Sequence, residues 1–256
     1  VPSFWVEPGD LGEEELVLRG DEAHHLAVRR CRAGDELDVI DGEGEFLRVR
    51  LRSFGEGREA RCDILWRHRG RGESPVELRL APALIKGQRF DFVVEKATEI
   101  GVAYIDPMTT FRGVVTGPSG SKLDRWQRLA RAATKQCGRS RVPRLGSPAS
   151  FETVVAEYQR ACAQVLMAVP DGGRRELSEL LADGVGATGD GDGIGLLIGP
   201  EGGFTEEETA RAVDAGVERF SGGATTLRSD TSAVVLAAMV LERAARDCRP
   251  QGGPSA

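Results

Sequence analysis

Two short runs, Ala163 to Val169 and Ile194 to Ile198, are apolar almost without interruption, and each ends at a glycine or proline corner. Neither alternates as a half-exposed strand would, and both are short for a helix, so they predict strands buried on both faces. Such strands need helices above and below them, and helical patterns supply these. Arg89 to Ile100 reads as a helix stopped by Gly101. Ser121 starts another, with Asp124 as its capping partner. Thr205 and Glu208 form a second capping pair whose helix ends at Gly216, and Thr231 to Arg246 is long and rich in Ala, Val and Leu. With Val76 to Leu84 as a further strand, the pattern predicts an α/β fold with a mostly parallel sheet.

The first 70 residues have a different texture. Apolar runs at Leu16–Leu18, Leu37–Ile40, Phe46–Leu51 and Cys62–Trp66 alternate with polar residues and are punctuated by glycines, which predicts a small β-barrel. Asp21 to Arg30 lacks alternation and reads as a short helix. Arg67 to Pro75 is rich in Arg, Gly, Glu, Ser and Pro and reads as a linker. The expected division is therefore 1–70 and 71–256, with 183–193 a surface loop.

Composition narrows the class. The longest apolar run, Ala233 to Leu241, is far short of a membrane span, and Val1 to Val6 has no basic stretch leading into an apolar one. The expectation is a cytoplasmic chain with no membrane partner. Cysteines 31, 62, 137, 162 and 248 and histidines 24, 25 and 68 lack ligand spacing, so neither a disulfide framework nor a metal site is expected. The net charge of −6 hides an uneven distribution, with 12 basic against 5 acidic residues over 86–146. Local charge is what a phosphate senses, because salt screens beyond about 10 Å.

Three corners carry the chemistry. Ile198-Gly-Pro-Glu-Gly-Gly-Phe204 follows a buried strand and leads into a capped helix. Ser221 to Ser232 holds two glycines, then hydroxyl residues, Arg228 and Asp230. Val169-Pro-Asp-Gly-Gly173 follows the other buried strand. Any one alone is a tight turn or an N-cap cluster. Together they exceed what turns require, and ligands of open α/β sheets sit at the carboxyl ends of strands. No Gly-x-Gly-x-x-Gly follows a strand, and no Gly-Lys-Ser/Thr or Gly-x-Ser-x-Gly occurs, which disfavours a dinucleotide oxidoreductase, a nucleotide hydrolase and a serine hydrolase.

These residues resemble the SPOUT-class methyltransferases, and in particular the family that methylates N3 of a uridine in small-subunit (16S) ribosomal RNA. The resemblance rests on Ile198 to Phe204, Leu227-Arg-Ser-Asp-Thr231, Glu95 to Gly101 and Lys135 to Pro143. In the N-terminal region it rests on His24 to Arg30, Gly34-Asp35, Leu37 and Asp41-Gly42, which are similar to a PUA-like domain. Ser229-Asp230 stands where the family has Thr-Glu, and Ser221-Gly222 where it more often has Leu-Gly. The resemblance implies a C-terminal trefoil knot, an exception to the usual absence of knots. It also implies S-adenosyl-L-methionine as cofactor, a homodimer, and ribosomal RNA of the small subunit as partner. The implied cofactor residues are Val169, Pro170, Ile198, Gly199, Pro200, Glu201, Gly202, Gly203, Ser221, Gly222, Leu227, Arg228, Ser229 and Thr231.

For RNA, the helix from Ser121 places Arg125, Arg128, Arg131 and Lys135 on roughly one face, with Trp126, Leu129, Ala130, Ala133 and Cys137 on the other. The stripe is short of acidic residues at i−4, so little self-neutralisation is expected. Arg139 and Arg141 extend it, Lys86, Lys96 and Arg112 belong to the same basic segment, and Arg29 and Arg30 are N-terminal candidates for phosphate contact. His24 and His25 read as packing or RNA contacts. Attack by uracil N3 requires loss of its proton, and Glu95, Glu99, Glu201 and Asp230 stand as alternatives for that role. Glu201 either takes part in the chemistry or shapes the turn. Arg228 either stabilises charge on a uracil oxygen or fixes the knot. The rival readings are a SPOUT ribose 2′-O-methyltransferase and a non-catalytic RNA-binding assembly factor.

Overall fold

The computed structural model describes residues 3–55, 58–115, 117, 120–170, 177–181 and 193–247. The chain divides into two units, Val1–Glu73 with Arg131–Val142, and Ser74–Ala130 with Pro143–Ala256. The sequence expectation of a single cut did not foresee that 131–142 joins the first unit.

The first unit contains β1 (Phe4–Trp5), β2 (Glu15–Arg19), α1 (Gly20–Val28), β3 (Glu36–Ile40), β4 (Glu45–Gly55) and β5 (Glu59–Arg69). They form one curled sheet in the order β1-β3-β4-β5-β2. Alternation builds its core. Along β4, Leu47, Val49 and Leu51 are buried while Arg50 and Arg52 point to solvent, and Leu16, Leu18, Leu26 and Val39 pack on the same cluster. Register shifts between Arg48 and Val49 and between Leu51 and Ser53 mark where the β4–β5 pair departs from a regular ladder, as bends in a strand require. Strand β5 runs to Arg69, so the linker expected from Arg67 begins three residues later. The Asp41-Gly42 turn has a physical reason. Asp41 Oδ1 accepts the N–H groups of Glu43, Gly44 and Glu45 at 2.8, 3.0 and 2.9 Å. Gly42 has φ +81°, and a Cβ there would lie 1.9 Å from the Trp5 ring.

The second unit contains β6 (Leu78–Pro82), α2 (Arg89–Ile100), the two-residue strands β7 (Tyr104–Ile105) and β8 (Met108–Thr109), and the first part of α3 (Gly120–Cys137), whose residues from Arg131 on belong to the first unit. After them come β9 (Arg144–Leu145), β10 (Ala149–Ser150), α4 (Phe151–Ala161), β11 (Gln164–Ala168), α5 (Leu177–Leu180), β12 (Ile194–Ile198), α6 (Glu206–Asp214), β13 (Glu218–Phe220) and α7 (Ser229–Asp247). A sheet in the order β13-β11-β12-β6-β7-β9 is parallel throughout. Both apolar runs are strands, and β12 is buried along its whole length. Gly101 stops α2 with φ +104°, and Thr205 and Glu208 form a full capping box on α6. Helix α3 begins at Gly120, so Ser121 is inside it rather than capping it. Helix α7 starts at Ser229, two residues before the expected Thr231. Most of the expected loop 183–193 lies outside the described residues. Among the described residues no helix is long and apolar enough to cross a membrane.

Candidate functional site

Register brings the three corners together. Ala168 on β11 lies opposite Phe220 on β13 and Ile198 on β12, and Ile198 lies opposite Pro82 on β6. Four adjacent parallel strands therefore end in one row. The residues that follow them, Ser221, Val169, Gly199 and Ala83, leave the sheet side by side at its carboxyl edge. Backbone bonds hold that edge: Val169 N–H donates to the Phe220 carbonyl at 3.1 Å, and Ala83 N–H to the Ile198 carbonyl at 2.8 Å. Side chains tie the corners further. Ser229 Oγ donates to the Gly199 carbonyl at 2.6 Å, and Ser221 Oγ to the Pro170 carbonyl at 3.4 Å. Asp171, Gly172 and Gly173 of the third corner lie outside the described residues.

Each described corner has a built shape. Gly203 N–H bonds the Pro200 carbonyl at 2.9 Å and Gly203 adopts φ +66°, closing the turn. Gly222 has no positive φ but is needed for space, since a Cβ there would come 2.8 Å from Cδ2 of buried Leu236. A cavity of about 360 Å³ opens beside this corner, lined by Leu177, Ser221, Gly222, Gly223, Met239, Glu242 and Arg243. That volume lies within the ordinary range for small-molecule sites, roughly 300–1,000 Å³. It reaches Ser221–Gly223 and does not extend to Gly199–Gly203. Among the cofactor candidates, Ile198, Pro200 and Ser229 are buried, and Glu201, Gly202, Arg228 and Thr231 are exposed. An edge of glycine turns, where no Cβ stands in the way, fits a nucleoside cofactor, which is held by close backbone approach.

The charged candidates are more constrained than spacing alone suggests. Glu201 forms an ion pair with Arg89 at 2.7 Å, a partner that sequence reasoning missed. Glu95 and Glu99 both hold Lys96 at 2.8 Å, and these hydrogen bonds raise the Lys96 pKa. Asp230 sits in the first turn of α7, where Oδ1 accepts the Thr231 N–H at 3.0 Å. Arg112 turns its guanidinium onto the corner itself, donating to the carbonyls of Gly202 at 2.9 Å and Phe204 at 3.3 Å. These bonds make it a brace of the corner rather than an outward cation.

The basic stripe also needs correction. Its carboxylate partners come from distant segments, where an i−4 count does not look. Arg125 pairs with Asp91 at 2.8 Å, Arg131 with Glu7 at 2.6 Å, and Lys135 with Glu22. Arg131 also lies 3.8 Å over the Trp5 ring. Arg139 is 3% exposed and bonds Glu73 at 2.7 Å, so it is a structural group and does not extend the charge into solvent. Arg29, Arg30, Lys86 and Arg141 are exposed, as are His24 and His25, which rules out core packing for the two histidines.

A further polar pair was not foreseen. Asp106, just past β7, accepts the Tyr158 hydroxyl at 2.8 Å. Burial raises the Asp106 pKa, partly offset by that bond, and burial together with Asp106 pushes Tyr158 well above its ordinary value. Gly195 is required beside them, because a Cβ there would fall 2.5 Å from the Tyr158 ring.

The family described as RNA methyltransferase domain matches residues 72–241, and the one described as RNA methyltransferase PUA domain matches 18–65. Ribosomal RNA small subunit methyltransferase E of Synechocystis sp. is 30% identical, over 92% of this chain and 75% of its own. That of Mycobacterium tuberculosis is 31% identical over 86% of this chain and 83% of its own. The crystal structure of ribosomal RNA small subunit methyltransferase E from Neisseria gonorrhoeae bound to S-adenosyl methionine is similar with a TM-score of 0.79. Its identity is 26%, covering 94% of this chain and 97% of that one.

Proposed function

Since the chain belongs to the ribosomal RNA small subunit methyltransferase E family, we propose that it transfers a methyl group from S-adenosyl-L-methionine to N3 of a uridine in small-subunit ribosomal RNA. The observation that carries this reading is the row Phe220–Ala168–Ile198–Pro82, which sets the glycine corners along one strand edge. On this reading, backbone groups of 198–203 and 221–228 hold the adenine and ribose, with Val169 and Pro170 alongside and Ser229 fixing the spacing of the two main corners. The cofactor supplies an electrophilic methyl group. On this reading, the unit of Ser74–Ala130 with Pro143–Ala256 is the trefoil-knotted catalytic domain, and that of Val1–Glu73 with Arg131–Val142 is the PUA-like barrel that grips RNA.

The chain's own residues manage charge and position. Uracil N3 exchanges its proton for the methyl group, so an acceptor for that proton must face the base. Glu201, exposed at the corner and steadied by Arg89, is the acidic group best placed to take it or to order a water that does. Arg228 is exposed at the N-terminus of α7 and holds the negative charge that develops on a uracil oxygen. N3 lies on the Watson–Crick edge, so the target nucleotide is unpaired when it reacts. Exposed Arg29, Arg30, Lys86 and Arg141 supply phosphate contacts. Exposed Val235 and Met239, one turn apart on α7, support a homodimer contact beside the site. Action on ribosomal RNA fits a cytoplasmic chain.

The test is nucleoside mass spectrometry of small-subunit RNA from cells with and without the gene. The reading expects one N3-methyluridine lost on deletion and restored by the chain. An unchanged N3-methyluridine content with a missing ribose methyl group would reject N3 in favour of the 2′-oxygen.

A further inference from the structure

Phe111 lies in the turn after β8, and its side chain is 85% exposed. A lone exposed apolar residue is ordinary on a protein surface. This one differs because its backbone is fixed to the candidate site. The Phe111 N–H donates to Glu208 Oε1 at 2.8 Å, and Glu208 is itself buried and bonded through Oε2 to the Thr205 N–H at 2.8 Å. The next residue, Arg112, reaches the carbonyls of Gly202 and Phe204. Gly113 N–H then returns to the Thr110 carbonyl at 3.0 Å, closing the turn. The turn is thus held to the Gly199–Phe204 corner on one side while its ring stands in solvent on the other. Val114, 67% exposed, continues the apolar tip. Leu84 N–H donates to the Met108 carbonyl at 2.8 Å, tying the segment before β8 ends to the loop that carries exposed Lys86.

An exposed aromatic ring on a backbone tied to the proposed methyl-donor corner, with an ammonium group on a neighbouring loop, has the chemistry of a platform for an unpaired base. Stacking uses the face of a base and leaves its edge atoms free. A pyrimidine held in this way keeps N3 available for reaction, whereas a protein group bonded to N3 would block it. We propose that Phe111 is the surface on which the target pyrimidine of the RNA stacks, making it a base-positioning residue. This rests on the RNA-methylating function proposed above.

The experiment uses the full chain and small ribosomal subunits from cells lacking it. Methyl incorporation, cofactor affinity by calorimetry and unfolding midpoint are measured for wild type, Phe111→Ala and Phe111→Trp. Removing a stacked aromatic lowers kcat/KM by about 5- to 150-fold on the usual strength of such stacking. Phe111→Ala is expected to fall in that range with cofactor affinity and midpoint unchanged. Phe111→Trp should stay within about threefold of wild type, and its added fluorescence should be quenched on titration with subunits. Full activity in Phe111→Ala, or a loss matched by an equal loss of cofactor affinity, would overturn the proposal while leaving the function standing. A wild-type chain that transferred no methyl group to the subunits would sink the functional reading and this inference with it.

Discussion

Ser229 Oγ donates a 2.6 Å hydrogen bond to the Gly199 carbonyl, joining two corners 30 residues apart. One is the exit of β12 and the other the entry to α7, so this bond fixes the distance between the two surfaces proposed to hold the cofactor. Ser229→Ala removes the donor and leaves the carbonyl without it, at a cost of about 1 kcal/mol. Cofactor affinity is expected to fall several-fold, and Ser229→Thr should recover most of it. Calorimetry and urea unfolding on the three proteins check both numbers.

Gly222 backs directly onto Leu236, and the Cβ of an alanine there would sit 2.8 Å from Leu236 Cδ2. Leu236 is 2% exposed and has little room to yield. Gly222→Ala therefore costs about 1–3 kcal/mol by overpacking and shifts the cavity wall. Pairing it with Leu236→Val should return part of the stability and of the cofactor affinity. Equal stability of Gly222→Ala and wild type would show that the corner is looser than described.

Arg112 braces the corner, so its loss should act on cofactor binding and not on the electrostatics of RNA binding. Arg112→Ala is expected to weaken the cofactor several-fold with the salt dependence of RNA affinity unchanged. Lys86→Ala should do the reverse. With a single phosphate no longer neutralised, the slope of log affinity against log salt should become shallower by about 0.7–0.9. Binding titrations at several salt concentrations separate the two roles.

Asp106 gives a pH signature. Burial raises its pKa above the ordinary 3.8 despite the Tyr158 hydrogen bond. The folded chain then keeps this proton to higher pH than the unfolded chain, so this group's contribution to stability falls as pH rises from 3.8 through the folded value. Asp106→Asn keeps an acceptor for Tyr158 and does not titrate. The stability of Asp106→Asn relative to wild type should therefore rise as pH increases from 3.8 through the folded value of Asp106 and then level off. A pH-independent difference in urea midpoints would contradict the assignment.

The parts of the fold legible in the sequence were those with strong local patterns. The strands β11 and β12 are covered on both faces and so read as nearly unbroken apolar runs, interrupted in β11 only by Gln164, and the capping box at Thr205 and Glu208 reads from two positions. The short strands β7 to β10 were not legible, because two residues carry no periodicity. Helix α4 could have been read: Ser150 caps it, and Phe151, Val154, Val155 and Tyr158 mark its buried face. At the site, the glycine corners were visible, yet their meeting depends on strand order, which no local pattern encodes. The basic stripe misled for the same reason. Glu7, Glu22, Glu73 and Asp91 lie far from it in sequence, and only the folded chain brings them to Arg131, Lys135, Arg139 and Arg125.

The most direct test of the account is a crystal structure of this chain grown with S-adenosyl-L-methionine. The cofactor should lie against the backbone of Gly199–Gly203 and Ser221–Arg228, with the Ser229–Gly199 bond intact beneath it. A fully occupied cofactor bound elsewhere, with both corners empty, would contradict the claim that the ends of β12 and β13 form one methyl-donor site.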